Sequence, residues 1–229
     1  MIKILIVAAT HTEADFLSTT IKKAKIGQPV ALQPSDNLQI DVLITGPGIT
    51  ATSYWLTKVL ALNRYEIGLN IGICGSLDPN IKPVRVVNII ADQFGDFGAE
   101  DGNNRLSIYD LGLAKKNEPP FKNGKLQATY KGKLSSLKAL PEVEGITVQQ
   151  AHGSVSGCKK AFEEFGPVME SMEGAAFFYV CRMENLQCLQ IRAISNKVER
   201  RNKSKWKLKE ALNALAGFTG LLLLELENN

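Results

Sequence analysis

Carboxylates, small residues and an amide follow the predicted strands of this sequence at four places. Glu13 comes after the first strand, where a carboxylate can act as a base or can simply be favoured by a helix dipole. The other places are the turn at 46–48 (GPG), the stretch at 70–76 (NIGICGS), and the paired segments 169–176 (MESMEGAA) and 191–196 (IRAISN). Ligands of open α/β sheets gather at the carboxyl ends of strands, so we expect these places to meet.

Each of these places is a weak signal when taken alone. Gly-Pro-Gly can be a plain turn, and Met172 can be a core residue that fills space. The turn is not a nucleotide phosphate loop, because no lysine follows it at the needed spacing. Their combination and order therefore carry the functional argument.

The elements that would position these residues are strands alternating with helices. Apolar, β-branched runs predict strands at 2–9, 39–45, 67–73, 85–91, 146–150 and 189–195. Helical periodicity predicts helices at 12–23, 50–63, 172–184 and 206–227. This alternation predicts an α/β fold, a single three-layer α/β/α domain over 1–229 with a central, mixed, largely parallel twisted sheet. An irregular excursion at about 95–133, rich in glycine, is expected to be a lid, a subunit contact or partly disordered.

The composition is that of an ordinary globular protein. The chain has 229 residues, a net charge of +4 and 45% hydrophobic residues, which excludes collagenous and disordered classes. The most apolar stretch, 214–224, is about half of a membrane span and is expected to be a buried helix face. Four scattered cysteines without a C-x-x-C pair argue against zinc and against a disulfide framework. We expect a cytoplasmic protein without metal, cofactor or membrane contact.

The positive charge is concentrated in the segment 197–209, KVERRNKSKWKLK. It holds seven basic residues and one acidic residue. Basic residues interleaved with Trp206 could bind a nucleic acid strand, but the apolar periodicity that follows favours a helix packed by one face. A solvated basic face is the simpler alternative. We expect no nucleic-acid partner.

Together, Glu13, the N-x-G-x-C-G-S strand, S-M-E-G-A-A and I-R-A-I-S-N resemble the purine nucleoside phosphorylase and nucleosidase superfamily over nearly the whole chain. Within it, E-S-M-E-G-A-A joined to I-R-x-I-S-N-x-V, arginines and Trp206 is most similar to futalosine hydrolases. The resemblance implies hydrolysis of the N-ribosidic bond of futalosine, with release of hypoxanthine, in menaquinone biosynthesis. The alternatives are a methylthioadenosine/S-adenosylhomocysteine nucleosidase and a purine nucleoside phosphorylase.

The resemblance also implies roles for individual residues. Glu13 would activate water, Met172 and Glu173 would hold the ribose, and Asn196 would contact the purine at N7. Relatives that release adenine carry Asp at the position of Asn196, and an amide cannot deliver a proton, which favours a 6-oxopurine. Phosphorylases carry Arg and a hydroxyl within the pattern that reads 70–75 here, so water is the expected nucleophile.

The remaining predicted substrate-binding residues are Cys74, Gly75, Ser156 and Arg201. Arg200 or Arg201 would pair with the aromatic carboxylate of futalosine, with Trp206 nearby. No aromatic residue stands at the place expected after Val155-Ser156-Gly157, so the residue that stacks on the base is unassigned, and His152 is expected to be structural. The partners implied are a small nucleoside substrate and further copies of this chain, with a homodimer favoured.

Overall fold

A large mixed sheet forms the centre of the protein in the computed structural model, which describes residues 2–102 and 104–228. Its strands are β1 (Ile2–Ala8), β2 (Val30–Leu32), β3 (Leu38–Ile44), β4 (Ile67–Ser76), β5 (Val86–Phe94), β8 (Leu126–Gln127), β9 (Glu142–Thr147), β10 (Met169–Ser171) and β11 (Gln187–Lys197). A separate hairpin consists of β6 (Gly98–Asp101) and β7 (Asn104–Ser107). The prediction of a mixed, largely parallel sheet is confirmed.

The sheet is not simply layered, and the prediction of a three-layer arrangement is wrong in this respect. Its order is β10-β9-β5-β11-β4-β1-β3-β2, and β10 also pairs with β4, so five strands close into a barrel. Closure occurs where the last residues of β4, Gly75 and Ser76, pair antiparallel with Glu170 and Met169. The pairing of β11 with β4 has a register shift between Ile194 and Asn196. Such an extra residue bends a strand and increases its twist, which helps the sheet to close.

Helices cover both faces of the open part of the sheet. They are α1 (Ile49–Leu62), α2 (Ser135–Lys138), α3 (Val155–Phe165), α4 (Gly174–Met183) and α5 (Leu208–Glu227). The side chains of β1 alternate between two cores: Ile4 and Ile6 pack with Leu215 of α5, whereas Leu5 packs with Leu56 of α1. This alternation follows from the two-residue period of a strand. None of the helices in the described residues is long and apolar enough to cross a membrane.

The predicted helix at 12–23 is wrong. Residues His11–Glu13 and Thr19–Lys23 form two short 3-10 turns instead. Ser18 caps the second turn by accepting a hydrogen bond from the backbone of Thr20, which is how serine competes with helix formation. The Glu13 carboxylate bends back to Thr10 and is thereby held at the end of β1.

The segment 95–133 contains more structure than its composition predicts. The β6–β7 hairpin lies in its first part, and β8 near its end pairs antiparallel with β5. Between them, the ring of Phe121 contacts Tyr109 and Tyr179, with ring centroids 6.0 Å apart in each pair. The segment therefore packs against the sheet and against α4.

Candidate active site

One cavity of about 270 Å³ lies at the carboxyl ends of β1, β4 and β11. Seven of the eight predicted site residues line it: Glu13, Cys74, Gly75, Met172, Glu173, Asn196 and Arg201. Ser156 is not brought there, because it lies exposed on the first turn of α3, with its hydroxyl 3.5 Å from that of Ser154. The four places recognised in the sequence thus meet in one cavity, since Pro47 of the Gly-Pro-Gly turn also lines it.

Glu13 is a buried carboxylate at the floor of the cavity. Its Oε1 accepts a hydrogen bond of 3.0 Å from the backbone N–H of Ile73, and its Oε2 accepts bonds from the backbone and hydroxyl of Thr10 at 3.0 and 2.8 Å. Burial raises the pKa of Glu13, and the charge of Arg192 opposes that rise. A carboxylate that is fixed in place and has a raised pKa is suited to act as a base.

Glu173 is the second buried carboxylate of the cavity. Its Oε1 accepts a hydrogen bond of 3.0 Å from the backbone N–H of Gly48, at the start of α1. Gly48 has φ +94°, a conformation that glycine adopts without steric cost. The turn at 46–48 thereby presents the backbone N–H of Gly48 to the Glu173 carboxylate. Met172 precedes Glu173, is half-buried and also lines the cavity, so it is not a fully buried core residue.

Arg192 is a buried cation between these carboxylates, and it is not among the site residues predicted from the sequence. It is 1% exposed, and its Nη1 lies 3.8 Å from Oε2 of Glu173. Its Nη2 donates to the side-chain oxygens of Asn70 and Gln190. Within the described residues, its Nη1 and Nε have no hydrogen-bond partner. Arg192 is the one charged residue of the predicted strand at 189–195, and this was the signal that could have revealed it.

Gly72 allows Arg192 and Glu13 to approach each other. A Cβ at position 72 would lie 2.3 Å from Nη1 of Arg192 and 2.7 Å from Oε1 of Glu13. Both distances are shorter than van der Waals contact, so any other residue there must displace one of the two groups. The glycine in the N-x-G-x-C-G-S strand is thus required by the charged cluster that lies on it.

Asn196 lies at the other end of the cavity, just after the bulge in β11. Its Oδ1 accepts a hydrogen bond of 2.7 Å from the hydroxyl of Ser195, and its Nδ2 donates to the carbonyl of Lys197. Gly75 is its partner on β4, where a Cβ would lie 3.4 Å from Nδ2 of Asn196. Cys74 is 4% exposed, and burial raises the pKa of its thiol to about 12, so the thiol stays protonated and unreactive.

Arg201 and Trp206 form the mouth of the cavity. The guanidinium carbon of Arg201 lies 5.3 Å from the centroid of the indole ring, and both residues line the cavity. The backbone N–H of Arg201 donates to the carbonyl of Gly153 at 3.1 Å, which ties this loop to the opposite wall. Nearby, Lys205 pairs with Glu199 at 2.8 Å. The basic segment is therefore a wall of the cavity as well as a surface feature.

His152, for which the sequence predicts a structural role, also lines the cavity. Its Nδ1 hydrogen-bonds to Oε2 of Glu170, and its backbone N–H donates to Oε1 of the same carboxylate at 3.1 Å. Glu170 is 6% exposed. The hydrogen bond from Glu170 raises the pKa of His152 against the opposing effect of burial.

The cavity walls contain carboxylates, an imidazole and a thiol, but they do not form a metal site. Within residues 2–102 and 104–228, no group of three or more His, Cys, Asp or Glu side chains is arranged to hold a metal ion. Glu13 and Glu173 are instead satisfied by backbone N–H groups and by the nearby guanidinium of Arg192.

The chain is similar to known proteins over nearly its whole length. The phosphorylase superfamily profile matches residues 3–225. Futalosine hydrolase of Thermus thermophilus is 27% identical over 96% of this chain and 95% of its own. A 5′-methylthioadenosine/S-adenosylhomocysteine nucleosidase of Buchnera aphidicola is 25% identical over 85% of this chain and 78% of its own.

The fold is shared with solved structures as well. The structure of the 5′-methylthioadenosine/S-adenosylhomocysteine nucleosidase of Helicobacter pylori matches with a TM-score of 0.76 and 18% sequence identity. The match covers 98% of this chain and 99% of that chain. The chain belongs to the phosphorylase superfamily. The superfamily and the class of enzyme predicted from the sequence, an N-glycosyl hydrolase, are confirmed by these relatives.

Proposed function

We propose that this protein hydrolyses the N-ribosidic bond of futalosine, with release of hypoxanthine, as a step of menaquinone biosynthesis. The observation that carries the proposal is the arrangement of charge along the cavity. Glu13 and Glu173 line the cavity with the Arg192 guanidinium buried beside them, and the Arg201 guanidinium lies at the mouth. The first group suits chemistry at a ribose, and the second suits a carboxylate on the far end of the substrate.

The proposed reaction passes through a ribosyl cation, as in other glycoside cleavages. A water oxygen attacks C1′ while Glu13 takes a proton from that water, and the bond from C1′ to the purine nitrogen breaks with its electron pair going to the base. Nη1 of Arg192 has no hydrogen-bond partner among the described residues and lies over Gly72 beside Oε1 of Glu13, so in the proposed mechanism it donates a hydrogen bond to the same water. The water would then be held between a base and a donor.

Glu173 and Met172 are the proposed ribose-binding residues. The carboxylate of Glu173 is buried and already oriented by the N–H of Gly48, so little reorganisation is needed when sugar hydroxyls donate to it. Hydrogen bonds to a charged acceptor are stronger than neutral ones and fix orientation. The thioether of Met172 would pack against the sugar ring.

Water is favoured over phosphate as the nucleophile by the charge of the cluster. Arg192 is flanked by two carboxylates, so a phosphate dianion placed there would meet net negative charge. Asn70, at the position where phosphorylases carry arginine, donates to the carbonyl of Val7 and accepts from Arg192, so its side chain is already engaged. Arg64 and Arg85 do not line the cavity and supply no replacement cation.

The preference for futalosine is supported by two further features of the cavity. Asn196 offers an amide to the base, which suits a 6-oxopurine whose negative charge can spread onto its exocyclic oxygen. Arg201 is exposed at the mouth and held over Trp206, so its guanidinium can reach a carboxylate that extends from the 5′ position of the ribose. A methylthioadenosine substrate has no group to pair with this cation.

The second candidate is a methylthioadenosine/S-adenosylhomocysteine nucleosidase. It is favoured by the Buchnera aphidicola relative, which carries that name at 25% identity. An amide at position 196 can also satisfy adenine by accepting from N6 and donating to N7. The ribose end of the cavity would be used in the same way by both substrates.

The deciding experiment is identification of the released base. The purified protein is incubated with futalosine, aminodeoxyfutalosine, inosine and methylthioadenosine, with and without phosphate, and the products are separated by liquid chromatography. We expect hypoxanthine from futalosine at a rate independent of phosphate. Faster release of adenine from methylthioadenosine would support the second candidate, and dependence on phosphate would overturn hydrolysis altogether.

A further inference from the structure

We propose that His152, held by Glu170, contacts the leaving purine and delivers the proton that the amide of Asn196 cannot supply. This inference rests on the proposed function, because it concerns the departure of the base from the ribose. It makes His152 a catalytic residue and Glu170 a positioning residue that acts through it.

The hydrogen bonds of His152 determine which ring nitrogen faces a ligand. An ionised carboxylate only accepts hydrogen bonds, so Nδ1 of His152 carries a proton and donates it to Glu170. No described residue hydrogen-bonds to the other ring nitrogen, Nε2. The His152 side chain is 25% exposed, whereas that of Glu170 is 6% exposed. The ring is therefore anchored on its buried side and accessible on the side of the cavity.

The strand pairing places this histidine at the base end of the cavity. Glu170 is paired with Gly75 on one side of β4, and Asn196 is paired with the same Gly75 on the other side. Strands lie about 4.8 Å apart, so Glu170 and Asn196 are about 10 Å apart across Gly75. The imidazole of His152 extends from Glu170 into the same cavity that Asn196 lines. A purine bound to Asn196 would thus lie beside the His152 ring.

The loop that carries His152 is tied to the other wall of the cavity. Gly153 follows His152, and its carbonyl accepts the 3.1 Å hydrogen bond from the backbone of Arg201. A Cβ on Gly153 would lie 3.4 Å from Cβ of Arg201, so the two loops are in close contact. The position of the imidazole is fixed from two directions, which a residue that transfers a proton requires.

The charges around His152 favour the protonated form of its ring. Glu170 on β10, Asp96 after β5 and Glu164 on α3 all raise the pKa of His152, and burial lowers it by less. Arg201, the basic residue across the loop, has its guanidinium turned over Trp206. Cys74 at the same end of the cavity cannot serve as the acid, because burial raises its pKa to about 12.

The proposed step transfers one proton as the N-ribosidic bond is cleaved. The bond between C1′ and the purine nitrogen breaks, its electron pair goes to the purine, and the proton on Nε2 of His152 moves to the purine. His152 is left neutral, and Glu13 holds the proton taken from water. Solvent then removes the proton from Glu13 and returns one to His152, so the net change is the addition of one water across the bond.

The test compares two leaving groups. Departure of hypoxanthine from inosine and futalosine is accelerated by protonation of the base, whereas p-nitrophenyl β-D-ribofuranoside loses a stable anion that needs no proton. For His152→Ala we expect kcat on the nucleosides to fall by about 10²–10⁴-fold, which is the usual contribution of a general acid, and to fall far less on the nitrophenyl riboside. Equal losses on both substrates would mean that His152 only supports the fold, and would overturn the proposal.

Two variants give readouts that a structural role would not produce. In Glu170→Gln the negative charge beside the ring is lost, so the loss of kcat at high pH is expected to begin at a lower pH than in the wild type. The double variant His152→Ala with Asn196→Asp restores a protonatable group at the base and is expected to recover part of the activity on nucleosides. An unchanged pH profile in the first variant, or no recovery in the second, counts against the proposal.

A binding measurement separates this inference from the proposed function. The chain has two histidines, so ¹⁵N NMR of the imidazole nitrogens is simple to assign by comparison with His152→Ala. Hypoxanthine added to the wild type is expected to shift the Nε2 signal of His152. If the wild type hydrolyses no nucleoside, the proposed function fails. If it hydrolyses futalosine but hypoxanthine leaves the Nε2 signal unmoved, this inference fails and the proposed function stands.

Discussion

Replacing Arg192 by methionine removes the cation that lies between two buried carboxylates while nearly preserving side-chain length. In the wild type, Nη1 of Arg192 lies 3.8 Å from Glu173, and the charge of Arg192 lowers the pKa of Glu13 against the effect of burial. The side chain is 1% exposed, so no solvent replaces the lost charge. The change therefore alters both the stability of the fold and the protonation of Glu13.

The size of the stability effect follows from the distance between the charges. Unit charges about 4 Å apart attract by about 4 kcal/mol at an effective dielectric constant of about 20. Removing one partner of a buried pair costs about 3–5 kcal/mol, and we expect a loss of that size in the free energy of unfolding at pH 8. The loss is smaller at pH 5. Since the pKa of Glu13 is raised in the fold, the stability that its protonation contributes is present at low pH and disappears as pH rises.

The effect on catalysis is a shift of the pH profile. Glu13 must lose its proton to act as a base, and without Arg192 it loses that proton at higher pH. The fall of kcat/KM on the acidic side should therefore move to higher pH, because the charge that lowers the pKa of Glu13 is gone.

The assay is kcat/KM for futalosine from pH 4.5 to 9, together with urea unfolding at both ends of that range. Arg192→Lys is the matched control: it keeps a positive charge, so its profile should stay close to that of the wild type. If Arg192→Met lowers stability but leaves the acidic side of the profile where it is in the wild type, the cation does not tune Glu13 and the reasoning is wrong.

Three other changes have defined outcomes. Gly72→Ala places a methyl group 2.7 Å from Oε1 of Glu13, so kcat should fall by about 100-fold in steady-state assays, while circular dichroism shows an intact fold. Arg201→Ala should raise KM for futalosine by about fivefold, the equivalent of about 1 kcal/mol, and leave KM for inosine unchanged; Lys203→Ala, outside the cavity, should change neither. Burial raises the pKa of Asp92 to about 6, so wild-type stability should decrease as pH rises through 6. The free energy of unfolding of Asp92→Asn, measured with urea, should not show this decrease, which is about 3 kcal/mol at most in the wild type.

The strands and the longer helices could be predicted from the sequence because their signals are local. The β-branched run at 2–9 corresponds to β1, and the periodicity at 50–63 corresponds to α1. The helix predicted at 12–23 does not form, and the local sequence could not show this. The conformation there involves a distant residue, because the Glu13 carboxylate accepts a hydrogen bond from the backbone N–H of Ile73. Barrel closure likewise depends on β10, which is three residues long and has no periodicity to detect.

Most of the cavity lining could be predicted, because each place follows a strand and parallel strands end at one edge of a sheet. Arg192 was missed because it lies within a strand and not after one. Its position beside Glu13 becomes visible only in the structure, where both side chains pack on Gly72. The position of His152 in the cavity lining was not predicted, because its partner Glu170 comes from a strand too short to recognise. Ser156 was expected at the cavity, but it lies on the exposed first turn of α3.

The most direct test of the account is the ratio of kcat/KM for futalosine to kcat/KM for methylthioadenosine, measured in phosphate-free buffer by quantifying the released base. A carboxylate paired with Arg201 and a 6-oxopurine beside Asn196 predict a ratio of about ten or more, the equivalent of about 1.4 kcal/mol. They also predict one hypoxanthine per futalosine and no change on adding phosphate. A ratio below one, or a rate that requires phosphate, would contradict the account.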